Sequence, residues 1–103
     1  MPSGRKKYSI TALAYDKKGR LLSVGRNSYV KTHRLQAMYS KKVGRPNAIF
    51  LHAEIDALVK ARGEVYKLVI LRYQSDQKPA CAKPCPACRL AIEDYGVQIV
   101  EHT

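Results

Sequence analysis

The stretch 64–73, "EVYKLVILRY", is an apolar run rich in β-branched residues, set between two segments of helical periodicity. Such a run reads as a central strand. A central strand flanked in sequence by helices has few homes, the commonest being a sheet covered by helices, parallel wherever a helix joins two strands. Upstream, "YSITALAYD" (8–16) and "RLLSVG" (20–25) have strand composition and are joined by the turn "KKG", which predicts a β-hairpin. Downstream, "VQIVE" closes the chain as a further strand.

The helix before the central strand spans 51–62. Leu51, Ile55, Leu58 and Val59 recur at helical spacing, Ala53, Ala57 and Ala61 favour the helix, and Gly63 ends it. The helix after it is "CPACRLAIEDYG", with Pro86 in its first turn and Gly96 as its stop. The order β-β-α-β-α-β predicts an α/β fold with a mixed sheet. At 103 residues the chain is expected to form a single domain over 1–103, with residues 1–7 a disordered basic start. Between Arg26 and Asn47 the periodicity is lost. "RNSYVKTHRLQAMYSKKVGRPN" is long for a plain connection, and a short helical piece is expected around Leu35 to Ser40.

No apolar run approaches the ~20 residues of a bilayer span. The basic start "MPSGRKKYS" is not followed by an apolar signal region. The expectation is a soluble, cytoplasmic protein with no membrane partner. A formal net charge of +11 should attract polyanions or phosphorylated ligands. Three cysteines, Cys81, Cys85 and Cys88, fall within eight residues, and an odd number in such a chain points to metal or catalysis rather than disulfides.

His52, Cys85 and Cys88 form a candidate metal set. Cys-x-x-Cys at a helix start sets two thiols side by side, where the helix N-terminus favours the thiolate. Two thiolates and an imidazole in tetrahedral geometry suit zinc, and three protein ligands leave a fourth position for water. Residues i and i+2 of a regular helix do not share a face. His52 and Glu54 converge only if His52 sits where the backbone is just entering the helix, and Glu54 then reaches the water as a proton shuttle. A rival is a closed structural site of Cys81, Cys85, Cys88 and His52, which leaves Glu54 and Pro84 unexplained. Cys81 is taken as a passive thiol.

"HAE" at 52–54 followed by "PCPAC" at 84–88 resembles the cytidine and deoxycytidylate deaminase superfamily, whose signature is H-x-E with a later P-C-x-x-C. The likeness runs from about Tyr8 to Val100 and agrees in element order. It implies a minimal version of that family's three-layer core, with the sheet covered by helices. It further implies that His52, Cys85 and Cys88 bind zinc while Glu54 shuttles protons. Activated water would then attack the ring carbon bearing the exocyclic amine, ammonia leaving and a carbonyl remaining. Asn27, in "GRNSY", matches a position that holds the substrate sugar in relatives, though Asn is equally a strand-end turn residue. The backbone amide of Ala53 would contact the base. Two departures stand out: many relatives carry a helix before the first strand and further elements after the last one. His rather than Cys as first ligand points to the nucleotide and polynucleotide branches.

The substrate expected is a cytosine nucleotide or single-stranded DNA or RNA. Arg26, Lys31, His33, Arg34, Lys41, Lys42 and Arg45 would meet phosphate, and Tyr29 and Tyr39 would stack on bases or else pack beneath the loop. The alternatives are a tRNA adenosine deaminase, since H-x-E serves adenine equally, and a non-catalytic nucleic-acid-binding protein with structural zinc. An exposed edge in so trimmed a core points to a homo-oligomer.

Overall fold

The hairpin forms where two β-rich segments meet a turn that closes itself. Asp16 Oδ1 accepts from the backbone N–H of Lys18 and of Arg20, both at 2.9 Å, and Gly19 supplies the left-handed residue at φ 82°. Strands β1 (Ser9–Tyr15) and β2 (Leu21–Arg26) flank this turn. In this computed structural model residues 9–28, 30–46, 50–61, 63–73, 79–80 and 84–103 are described.

Helix α1 (Arg34–Lys42) follows, then α2 (Ala53–Lys60), β3 (Lys67–Tyr73), the two-residue β4 (Pro79–Ala80), α3 (Pro86–Asp94) and β5 (Ile99–His102). The expected α/β class is present. The expected helical piece near Leu35 is a nine-residue helix, α1. The helix expected over 51–62 is shorter at both ends, because Leu51 is drawn out of it: its N–H donates to the Lys31 carbonyl at 2.9 Å.

β3 is the central strand, as its composition required. β1 lies antiparallel along its whole length, with Ala12 opposite Ile70 and Leu13 opposite Val69. On its other edge β5 runs parallel to Lys67–Ile70, and β4 pairs antiparallel with Arg72 and Tyr73. The sheet is therefore mixed, with its parallel pair joined through α3. Alternation decides the core. Ala12, Ala14, Leu68 and Ile70 point to one face and are buried with Ile55, Ala57 and Leu58 of α2 and Ala91 and Ile92 of α3. Val59, assigned to the apolar stripe from its spacing, is 39% exposed. Leu13, Val69 and Leu71 line the opposite face and stay half-exposed. Among the described residues no helix is long and apolar enough to cross a membrane.

Candidate metal centre

Two helix starts build the site. His52 is the N-cap of α2, with extended backbone (φ −84°, ψ 153°), and its ring makes no capping bond. An N-cap lies just outside the helical dihedrals, so its side chain is free to turn away from the helix face. Cys85 holds the matching place on α3, at φ −70° and ψ 167°, with Pro86 opening the helix behind it. Its Sγ accepts from the Cys88 N–H at 3.5 Å, which folds the Cys-x-x-Cys turn so that both sulfurs face one way.

The two starts meet. His52 Nδ1 lies 3.3 Å from Cys88 Sγ and 3.4 Å from Cys85 Sγ, and all three ligand atoms fall within 4.8 Å of one another. Zn–N of about 2.0 Å and Zn–S of about 2.3 Å at tetrahedral angles would set nitrogen and sulfur about 3.5 Å apart. The three residues lie close enough to hold a metal ion, and their donor set and spacing fit zinc. Cys81 and Tyr29 lie outside the described residues.

The side chains of the group set one another's proton affinities. The Cys88 thiol donates to Cys85 and, with the His52 ring beside it, holds the Cys85 thiol down at about 4 against the opposing effect of burial. Cys88 is pushed up by the same bond, by its own burial and by the neighbouring Glu54. The hydrogen bond to Cys85 raises His52, against desolvation. Glu54, the second residue of α2, is only 6% exposed, and its burial pushes the carboxyl up. Cys88 and the His52 ring oppose that rise, so the carboxylate stands close to the ligand group. Ala53, at the first helical position, is fully buried, and its N–H belongs to the turn that has no intrahelical partner.

Asn27 ends β2. Its Oδ1 accepts from the Ile10 N–H at 3.0 Å, while its own N–H donates to the Ile10 carbonyl at 3.2 Å. Tyr39 does not offer a ring for stacking: it is buried at 4% exposure, with its hydroxyl on Asp94 of α3. His33 caps α1, its Nδ1 accepting from the Leu35 N–H at 3.0 Å.

Other residues hold the site and were not found from the sequence. Gln36 of α1 is completely buried; its Oε1 accepts from the His52 N–H and its Nε2 donates to Ser40 Oγ, both at 3.1 Å. Asp56, 8% exposed, accepts from the Arg26 N–H at 3.0 Å and from Lys60 Nζ at 2.9 Å. Ser23 Oγ donates to the Ala57 carbonyl at 2.6 Å. Polar residues 36 and 40 share a helix face with Tyr39, and that spacing was the available signal in a stretch read as non-periodic.

No family model and no curated protein matches the chain. Among solved structures it is similar to cytidine deaminase from Mycobacterium tuberculosis, at 18% identity over 93% of this chain and 68% of that one, with a TM-score of 0.55. A Glu-to-Gln variant of the same deaminase gives the same figures. The chain shares the fold of that cytidine deaminase, and at the meeting of its two helix starts it carries a His-Cys-Cys group suited to a metal ion.

Proposed function

We propose that the protein is a zinc-dependent hydrolytic deaminase that converts cytosine to uracil in a phosphorylated substrate. The observation that carries this reading is the buried Glu54 set beside His52, Cys85 and Cys88, whose ligand atoms lie within 4.8 Å of one another. His52, Cys85 and Cys88 would hold the ion. Bound there, zinc supplies Lewis acidity that lets water ionise near neutral pH.

The chain's own residues do the rest. Burial raises the proton affinity of Glu54, which favours its accepting the proton released from water, and the carboxyl then passes that proton on to the ring nitrogen. The water oxygen bonds to the ring carbon bearing the amine. The second proton passes from that new hydroxyl through the same carboxylate to the amine, and the C–N bond breaks to release ammonia and leave the carbonyl of uracil. The Ala53 N–H is assigned to the base and Asn27 to the sugar. A cation-rich surface accommodates the phosphate.

Ammonia release from cytidine, dCMP, dCTP, single-stranded oligonucleotides and tRNA, with zinc-loaded protein, tests the proposal. Release from a phosphorylated cytosine substrate is expected. Glu54→Gln should keep zinc and fold but slow release by ~10²–10⁴-fold, the usual worth of general acid–base help. A zinc-replete protein that releases no ammonia from any of them would leave only a zinc-holding domain.

A further inference from the structure

We infer that the substrate is a single strand of polynucleotide, whose sugar–phosphate backbone lies along two cationic surfaces adjoining the start of α2. This rests on the deaminase reading only in placing the target base at the His-Cys-Cys group.

No Asp or Glu occurs between Asp16 and Glu54, although the stretch is dense in Lys and Arg. The fold gathers those cations into two places. One is the outer side of α1: its inner side buries Gln36, Tyr39 and Ser40, while Arg34, Met38, Lys41 and Lys42 stand exposed at spacings of four, three and one. Arg45 follows directly, its N–H donating to the Ser40 carbonyl at 2.7 Å. The other is a recess of about 470 Å³ on the seam between β2 and α2, where Arg26, Lys31 and Lys60 surround a floor of Val24 and Leu51. Asp56 lies in that recess too, but its carboxylate already accepts from Lys60 Nζ and the Arg26 N–H. Among the described residues the ion pairs are Arg20–Asp16, Lys60–Asp56 and Lys67–Glu101, so neither Arg26, Lys31 nor any α1 cation has a carboxylate partner.

The recess and the inner side of α1 attach to consecutive residues, Leu51 and His52. Leu51 lines the recess and is tied to its rim, donating to the Lys31 carbonyl and accepting from the Ser28 N–H, each at 2.9 Å. The next residue is the ligand His52, whose N–H is held by Gln36 of α1. One phosphate can neutralise one of these surfaces. A chain of phosphodiesters can neutralise both and release counterions from each. Glu54 is buried, so the target base has to leave its stack to reach it, and a single strand delivers the base without the cost of unpairing.

The test is fluorescence anisotropy with zinc-loaded Glu54→Gln protein, from low to moderate salt. Oligo-dC and oligo-rC single strands serve as probes, with a blunt duplex and dCMP as competitors. The two single strands tell DNA from RNA. Expected is salt-dependent binding of at least one strand, preferred over duplex and over dCMP. Each phosphate contact on a single strand is worth ~0.7 in log–log slope. Replacing Lys41, Lys42 and Arg45 with Ala should therefore flatten the slope by about two units, and replacing Arg26 and Lys31 by about 1.4. Neither set touches a metal ligand, and Arg26 bonds Asp56 through its backbone, so zinc content should hold. Equal affinity for dCMP and strand, preference for duplex, or slopes unmoved in both variants would overturn the inference. Strand binding with these slopes but no ammonia release from wild-type protein would instead sink the deaminase reading. Deamination of dCMP without strand binding would do the reverse.

Discussion

Gln36 shows what a single buried amide contributes. Its Oε1 satisfies the His52 N–H at the point where a candidate ligand leaves the chain. Gln36→Leu keeps the volume but strands that N–H, at a cost of about 1–3 kcal/mol. The expected outcome is a lower urea midpoint together with weaker zinc binding in a chelator competition, because the backbone carrying the imidazole is no longer held. Gln36→Glu, which keeps an acceptor, should recover part of the zinc affinity. Zinc binding unchanged in the Leu variant would show that Gln36 only fills space. Tyr39 gives a pH test at the same scale. Burial, and then the hydrogen bond to Asp94, raise its phenol from 10.0 to about 12. A raised acid is held protonated by the fold, so this stabilisation is complete below pH 10 and is lost as pH rises through about 12. The Tm difference between wild type and Tyr39→Phe should shrink over that window, as differential scanning calorimetry would show; a constant difference would contradict the assignment.

At the scale of elements, the seam between β2 and α2 is the tightest contact. A Cβ on Gly25 would run into the Ala53 carbonyl and the Ala57 N, and would lie 2.9 Å from Ala57 Cα. Glycine is what lets the strand press against the first turns of the helix that carries His52 and Glu54, with Ser23 and Asp56 bonded on either side of it. Gly25→Ala should push the helix start away, costing about 1–3 kcal/mol as overpacking does and lowering zinc content with it. Gly44→Ala is the contrast: its φ of 78° makes any side chain strained, yet nothing lies within 4 Å, so stability should drop while zinc stays. Equal zinc loss in both would show that α2 is not positioned through this seam. Much of this element architecture was legible in the sequence, because caps, periodicity and the Pro86 and Gly96 stops are local signals. His52 and the Cys-x-x-Cys turn stood out for the same reason. Gly25, Gln36, Ser23 and Asp56 did not, since each takes its role from a residue at least 16 positions away. The burial of Tyr39 was likewise set by α3, on which the α1 sequence is silent.

Across the whole molecule, the metal group adds a direct link between two helices that otherwise meet through the shared apolar core. His52 stands on a helix packed against β1 and β2, whereas Cys85 and Cys88 stand on the crossover helix leading to β5. A chain of this size buries only about 65% of its unfolded surface, so a cross-link between helix starts would be a large share of its stability. Removing metal with a chelator should therefore lower the melting temperature of the entire domain rather than loosen one loop. With free zinc at 100 times its dissociation constant the stabilisation is about 2.7 kcal/mol. At roughly 4–8 °C per kcal/mol for a domain near 100 residues, the shift is on the order of 10–20 °C. Calorimetry with and without chelator measures it. His52→Ala should melt near the chelated wild type and respond little to added zinc, since two thiols alone hold the ion weakly. Hydrogen exchange should report the same coupling, with amides of α2 and α3 losing protection together in the metal-free protein. A chelated wild type that melts with the zinc-loaded one would mean that the packed core alone sets the stability. The three-residue group would then be no structural cross-link, whatever its chemistry.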